Sequence, residues 1–167
     1  MSMNKLRTAG MLLAAAFLMH GCAHPDLIDL QTPGSEVEAS LGAPDARIAL
    51  EDGSTRLVYS MQPMSQQVWW ITLDAQGRVQ SKENVLDRDH FALIKIGSTT
   101  KQDVFNLFGP CAEKFHFALK NQDAWMYRFL DEGLFYMAFW VQFDENGVAA
   151  EVGYTQDPWR DRDGDWL

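Results

Sequence analysis

Cysteine and basic residues are both scarce in this chain of 167 residues. Its two cysteines are Cys22 and Cys111, and its 14 lysines and arginines are outnumbered by 23 aspartates and glutamates, for a formal net charge of −9. If Cys22 is modified, as argued below, Cys111 has no partner and a disulfide framework within the chain is excluded. An acidic chain repels phosphate backbones, so we expect no nucleic-acid partner.

The N-terminus lacks an apolar run long enough to cross a bilayer. Lys5 and Arg7 precede an apolar stretch, residues 9–19, of roughly 11 residues, whereas a membrane-spanning helix needs about 20. A positive segment followed by a short apolar segment is typical of an export signal. The sequence therefore predicts a signal peptide over residues 1–21.

Cys22 follows this signal directly, after the small residue Gly21. The arrangement resembles a lipobox, in which diacylglycerol is attached to the thiol and the chain is cleaved before the cysteine. Ala23, rather than Asp, follows the cysteine, and this resembles the pattern that sorts lipoproteins to the outer membrane. The alternatives are an ordinary signal peptide with a chance cysteine nearby, and a cytoplasmic protein with an apolar N-terminal helix.

Removal of residues 1–21 would take away two positive charges and bring the net charge from −9 to −11. So acidic a domain is poorly suited to bind anionic lipid through a basic patch. The acyl chains would therefore have to provide the anchoring. A single acyl chain binds a protein to a membrane only marginally, whereas the two or three acyl chains of a mature lipoprotein bind it stably.

The remaining chain contains a weak internal repeat. The segment 32–44, with Thr32, Val37 and Gly42, matches the segment 99–110, with Thr99, Val104 and Gly109, at an offset of 67. Two later matches follow in the same order, 57–59 with 125–127 and 74–77 with 144–147. Fixed-period similarity of this kind indicates a duplicated structural unit.

Each copy has the pattern of helices followed by antiparallel strands. Thr99 is the expected N-cap of the second helix, with Gln102 as its capping-box partner, and Gly109 and Pro110 are expected to end that helix. Asp-Gly and Asn-Gly turns separate β-rich runs. The strands are predicted at Arg47–Leu50, Arg56–Met61, Val68–Leu73, Val79–Val85, Lys114–Leu119, Ala124–Leu130, Tyr136–Phe143 and Val148–Tyr154. The fold class is therefore α+β, as two tandem helix-helix-strand-strand-strand units with helices packed on antiparallel sheet.

The second copy resembles a known family. Residues 96–110, followed by Trp125-Met126-Tyr127 and residues 143–148, are similar to the signature of the SmpA/OmlA small outer-membrane lipoproteins, the family of the BamE subunit of the β-barrel assembly machinery. The resemblance covers about 91–154 well and 25–86 more loosely. Tandem copies also resemble the β-lactamase inhibitor protein fold. The family resemblance implies partners among barrel-assembly subunits and a periplasm-facing position on the outer membrane.

The sequence offers little for catalysis or for a cofactor. Once residues 1–21 are removed, it has no Gly-x-Ser-x-Gly turn, no His-x-x-x-His or Cys-x-x-Cys pair and no phosphate-binding glycine loop, so we predict a non-enzymatic protein without a cofactor or a metal. Cys111 is expected to be a packed, unreactive residue. Asp161, Asp163 and Asp165 match the opening of a calcium loop, but a solvated tail is the preferred interpretation.

Aromatic residues are the strongest candidates for a functional surface. They crowd the predicted strands, and the neighbouring pairs Trp69-Trp70 and Phe139-Trp140 must place one ring on each face of a sheet. Either the other unit covers the second face, or that face binds a partner through its aromatic side chains. The candidate partner-binding residues are Trp69, Trp70, Trp125, Tyr127, Tyr136 and Trp140.

These patterns together predict a signal peptide (1–21), a lipidated tether (22–26), a first unit (27–87), a second, SmpA/OmlA-like unit (88–156) and an acidic flexible tail (157–167). The expected function is that of a lipoprotein that binds other envelope proteins, in outer-membrane protein assembly or envelope integrity. The alternative is a periplasmic inhibitor or sensor that docks on an enzyme, because a fold does not decide a function.

Overall fold

A computed structural model describes residues 23–162. It confirms a mixed α+β fold, with two four-stranded antiparallel sheets and few helices. In each sheet the strands are neighbours in chain order, so every connection between adjacent strands is a turn or loop at a sheet end. Cys22 and residues 163–167 lie outside the described residues.

The first sheet follows one helix. A short 3₁₀ helix, Pro25–Leu27, precedes helix α1, Gly34–Leu41, which ends at Gly42 with a positive φ of 85°. Four strands follow, and the predicted strands differ from them by at most one residue at either end. They are β1 (Ala46–Ala49), β2 (Thr55–Ser60), β3 (Val68–Leu73) and β4 (Val79–Asn84).

The second sheet follows two helices. Helix α2, Arg88–Phe91, is a single turn, and helix α3, Lys101–Phe108, ends at Gly109 with a positive φ of 64°. The strands that follow are β5 (Glu113–Phe117), β6 (Gln122–Asp131), β7 (Phe135–Phe143) and β8 (Ala149–Gln156), and a last short helix, α4, spans Pro158–Arg162.

The first sheet is buried on both faces. Leu57, Ile71 and Val79 pack with Val37 of α1 in one hydrophobic cluster. Residues of the opposite face, Val58, Val68 and Trp70 among them, join a second and larger cluster. Burial on both faces explains why β3 is apolar at nearly every position instead of alternating.

The larger cluster joins the two sheets through α2 and α3. Phe91 of α2 stacks on Phe139 of the second sheet with the ring centroids 4.0 Å apart, and it meets Phe108 and Phe129 edge to face. Val104 and Phe108 of α3 are fully buried in the same cluster. The helices therefore form a layer between the sheets, and the two halves share one core.

The N-cap of α3 is one residue later than the sequence pattern predicts. Thr100, not Thr99, caps the helix: its side chain accepts from the Asp103 backbone N–H, and the Asp103 carboxylate accepts from the Thr100 N–H at 2.9 Å. Asp103 therefore replaces Gln102 in the capping box. The Thr99 hydroxyl instead accepts from the Lys95 backbone N–H at 2.8 Å and closes the preceding turn.

This capping box predicts a pH effect on stability. Hydrogen bonds from the Thr100 side chain and backbone lower the pKa of Asp103 below its usual 3.8. Its stabilising contribution is therefore present above pH 3.8 and is lost as the pH falls through the lowered value. We expect Asp103→Asn to cost about 0.5–1 kcal/mol near pH 7, and the difference from the natural protein to shrink in urea unfolding at pH 3. A difference that stays constant with pH would contradict this role.

The segments assigned to the tether and to the tail each contain a buried residue. Pro25, assigned to the tether, is buried, and His24 beside it contacts Gln67 at 3.0 Å and the Trp69 ring edge to face. The tail predicted from residue 157 begins with an ordered turn, in which Asp157 is only 2% exposed. Asp157 is paired with Arg128, and the acidic composition of the tail gives no sign of this pairing.

Candidate partner-binding surface

Four of the six predicted binding residues belong to the core and cannot contact a partner. Trp69, Trp70 and Trp125 are 8%, 5% and 9% exposed, and Tyr127 is fully buried. The prediction that their rings form an open face is wrong. Trp70 and Tyr127 are covered by a second layer of the fold, which was the alternative to a partner-binding face. The helix layer fills the space between the two sheets, so an aromatic ring on either inner face finds an apolar neighbour.

Trp70 and Tyr127 bind the helix layer to the two sheets. The Trp70 indole N–H donates to the Leu107 carbonyl at 2.6 Å, and the Tyr127 hydroxyl donates to the Gly109 carbonyl at 3.0 Å. Burial raises the pKa of Tyr127 well above its usual value, so this hydroxyl stays protonated and remains a donor. These two aromatic residues therefore satisfy carbonyls at the C-terminus of α3 that the helix itself leaves unpaired.

Tyr136 and Trp140 are the two candidates that remain accessible. Both lie on the face of the second sheet that is turned away from the helix layer. Tyr136 is 40% exposed, and the Arg160 guanidinium lies 4.0 Å from its ring centroid. The half-buried Trp140 donates its indole N–H to the Thr155 hydroxyl at 2.9 Å and packs on Phe115 at 5.3 Å.

Trp140 borders a shallow apolar groove on this outer face. The groove measures about 270 Å³. The absent side chain of Gly153 leaves its floor open, and Phe117, which is 44% exposed, stands at its side on the edge strand β5. Leu119, fully exposed, follows Phe117 just beyond that strand. The lining residues are Phe117, Ala124, Trp140, Gln142, Gly153, Tyr154 and Thr155.

Phe115 and Phe117 are surface residues that the sequence prediction does not include, although the strand pattern contains part of the signal. The two phenylalanines alternate with His116 in a strand, so they share one face of the sheet. The register places Phe115 opposite Ala124 and Phe117 opposite Gln122. Small and polar cross-strand neighbours leave large rings uncovered, and this feature of the pairing is not visible before the register is known.

Helix α4 covers the other part of the outer face. The Trp159 ring lies under the Arg128 guanidinium at 4.8 Å, and its indole N–H donates to Glu113 at 3.0 Å. Met126, which pairs with Glu113 on the same face, is fully buried. The accessible aromatic surface is therefore limited to the part of the sheet that α4 does not reach.

Charged groups meet at the start of β6, on the face of the sheet opposite the groove. Asp123 forms an ion pair with Lys101 and a hydrogen bond with His116, whose Nδ1 lies 2.7 Å from the carboxylate. Hydrogen bonds from these two side chains lower the pKa of Asp123. Asp123 is thus held ionised on the face of the sheet that is turned toward the helix layer.

Cys111 is a half-buried thiol whose Sγ lies 3.4 Å from the Glu113 carbonyl oxygen. Burial raises its pKa above the usual 9.0. Because the thiolate is the reactive species, we expect Cys111 to react with iodoacetamide at pH 8 more slowly in the folded protein than in urea. Equal rates in the two conditions would contradict the packed position.

A metal site and a membrane-spanning helix are both absent from residues 23–162. They contain no group of three or more His, Cys, Asp or Glu side chains placed to hold a metal ion, and most of the acidic loop considered for calcium lies outside them. No helix among these residues is long and apolar enough to span a membrane.

Comparison with known proteins gave no relative: no protein-family model, no curated protein and no solved structure matches this chain.

Proposed function

We propose that this protein is a non-enzymatic lipoprotein, anchored to the outer membrane through Cys22 and facing the periplasm, that binds another envelope protein. The observation that carries the binding role is the apolar groove beside Trp140 and Phe117. Aromatic side chains at the centre of a surface patch provide much of the energy of protein interfaces. The export signal and the lipobox-like residues before Ala23 support the anchoring.

We also propose that the two halves are copies of one unit. The Tyr59 hydroxyl donates to the Gly42 carbonyl at 3.1 Å, and the Tyr127 hydroxyl makes the same bond to Gly109 at 3.0 Å. In both bonds a tyrosine of the second strand reaches the glycine that ends the preceding helix. Two independent folds would have no reason to repeat this contact.

The turns between the last two strands of each half support the duplication further. Asp74 Oδ1 accepts from the backbone N–H groups of Gln76 and Arg78, and Asp144 Oδ1 accepts in the same way from Asn146 and Val148. A shift of register lies just before this aspartate in both sheets, between residues 72 and 73 in the first and between 142 and 143 in the second. A shared ancestor unit accounts for both features.

The resemblance to the SmpA/OmlA family gives the proposal its most specific form, in which the partner is a subunit of the barrel-assembly machinery. A lipid anchor supports this, because it concentrates the domain at the membrane where such partners reside. A periplasmic enzyme as the partner would instead correspond to the inhibitor or sensor role.

Photo-crosslinking in living cells tests the binding surface. A photoreactive phenylalanine analogue in place of Phe117 is expected to crosslink to one envelope protein, which mass spectrometry identifies. The same analogue at Leu93, which is 47% exposed and lies two residues after the end of α2, is the matched control. A barrel-assembly subunit supports the preferred partner, and a soluble hydrolase supports the inhibitor role. Crosslinks no stronger at 117 than at 93 would contradict the groove as the binding site.

Truncation of the groove gives a quantitative prediction. We expect Phe117→Ala to weaken binding to the captured partner by about 2 kcal/mol, or roughly 30-fold, as is typical of an aromatic interface residue. Because nearly half of the Phe117 surface is exposed, its loss should lower the thermal midpoint only slightly. Titration calorimetry with the purified partner measures the change, with Leu93→Ala as the control, and an unchanged affinity for Phe117→Ala would contradict the assignment.

A further inference from the structure

One end of the molecule combines the start of the folded chain with exposed apolar side chains. The β2–β3 loop carries Met64, which is 87% exposed, and the tip of the β6–β7 hairpin carries Leu134 and Phe135, which are 72% and 58% exposed. We call these three residues the apolar end. Large apolar side chains that are this exposed and lie close together commonly mark an interaction surface.

The loop and the hairpin are held together by hydrogen bonds. The Gln62 side chain bonds to both the N–H and the carbonyl of Arg128, at 3.1 and 2.8 Å, and Arg128 Nη1 donates to the Pro63 carbonyl at 2.8 Å. The loop and the hairpin tip also line one cleft, with Gln66 and Gln67 on the loop side and Glu132 and Gly133 on the hairpin side. Met64, Leu134 and Phe135 therefore belong to one end of the fold.

The folded chain begins at this same end. His24 contacts Gln67 of the β2–β3 loop at 3.0 Å and packs against Trp69. Cys22 precedes His24 by two residues, and two extended residues reach at most about 7 Å. A lipid on Cys22 would therefore enter the bilayer within about that distance of His24, close to the β2–β3 loop.

We propose that the apolar end rests on the bilayer surface and inserts Met64, Leu134 and Phe135 among the lipid headgroups and upper acyl chains. This inference rests on the proposed lipidation of Cys22. Amphipathic contacts add to acyl anchoring in proportion to the apolar area that they bury. The carboxylate of Asp131 near the tip is paired with Arg88 at 2.6 Å, which lowers the cost of bringing it to the membrane.

The orientation places the partner-binding groove away from the membrane. Phe117 pairs with Gln122 at the start of β6, whereas the hairpin tip follows Asp131 at the end of that strand. Nine residue steps of extended chain separate these two positions, or roughly 30 Å. The groove would therefore face the periplasm, where a partner can reach it.

Fluorescence of the mature lipoprotein in vesicles of phosphatidylethanolamine and phosphatidylglycerol tests the orientation. In a Cys111→Ala background, Leu134→Cys is labelled with an environment-sensitive fluorophore, and Met64→Cys provides a second site. The control is Ile96→Cys, because Ile96 is 52% exposed and its neighbour Gly97 bonds to Ala149, near the opposite end of β7. We expect a blue shift, and loss of emission with brominated phospholipid, at 134 and 64 but not at 96.

The inference would be overturned if the labels at positions 134 and 64 responded to lipid no more than the label at position 96. It would also be overturned if a periplasmic extract, but not lipid, shielded the label at position 134. The intact mass of the same sample separates this failure from that of the proposed function. A diacylated Cys22 with no response at 134 leaves the anchoring in place and refutes only the orientation. An unmodified Cys22 refutes both.

Discussion

Phe91→Ala is expected to lower the free energy of unfolding by about 3–5 kcal/mol, the usual cost of deleting a fully packed phenylalanine. Phe91 is 2% exposed and stacks on Phe139 while it meets Phe108 and Phe129 edge to face. Alanine would leave a cavity at the centre of the core that joins the sheets, and the surrounding rings cannot fill it without leaving their own contacts. Urea unfolding followed by tryptophan fluorescence measures the loss.

The control for this prediction is Phe135→Ala, since Phe135 is 58% exposed and its truncation leaves no cavity. We expect a change within about 0.5 kcal/mol, typical of a surface substitution. If Phe91→Ala cost no more than Phe135→Ala, the helix layer would not be the shared core of the two sheets. A natural protein that unfolds in a single transition would agree with one shared core.

Asp157→Ala is expected to cost about 3–5 kcal/mol, because it leaves a buried guanidinium without its counter-charge. Arg128 Nε donates to Asp157 at 2.8 Å, and the Asp157 side chain is fully buried while that of Arg128 is 10% exposed. The pair connects β6 to the chain just before α4. The thermal midpoint and the urea midpoint should both fall.

A second variant distinguishes two causes of the lost stability, the unpaired charge of Arg128 and the cavity left by Asp157. Arg128→Met in the Asp157→Ala background removes the unpaired charge while keeping an apolar stem, so it should recover part of the lost stability. Recovery is expected to be incomplete because Arg128 also donates to the Pro63 carbonyl. Glu145→Ala, at an exposed turn position, is the control. A double variant less stable than Asp157→Ala alone would contradict a destabilising charge.

The strands could be predicted from the sequence because their signals are local. Val68–Leu73 was predicted to the residue, and the glycine turns at 77 and 147 fall where the pattern placed them, each with a positive φ. The wrong N-cap predicted for α3 also has a local cause. Threonine is a common N-cap residue, so the sequence offers two capping boxes, Thr99 with Gln102 and Thr100 with Asp103. The structure has the second.

The surface could not be predicted to the same extent, because exposure depends on which layers cover a sheet. Trp70 and Trp140 are equivalent in the sequence, since each belongs to a neighbouring pair of aromatics in a strand. The helix layer covers Trp70, whereas Trp140 lies beyond the reach of α4. Likewise, nothing local indicates that Asp157, in an acidic segment, pairs with an arginine 29 residues earlier.

The proposed placement of the protein depends most on Cys22, and the intact mass of the protein extracted from bacterial envelopes tests it most directly. The account predicts a mature chain that begins at Cys22, without residues 1–21, and carries diacylglycerol on the thiol. A mature chain whose Cys22 is unmodified, or one that retains the N-terminal segment, would contradict it.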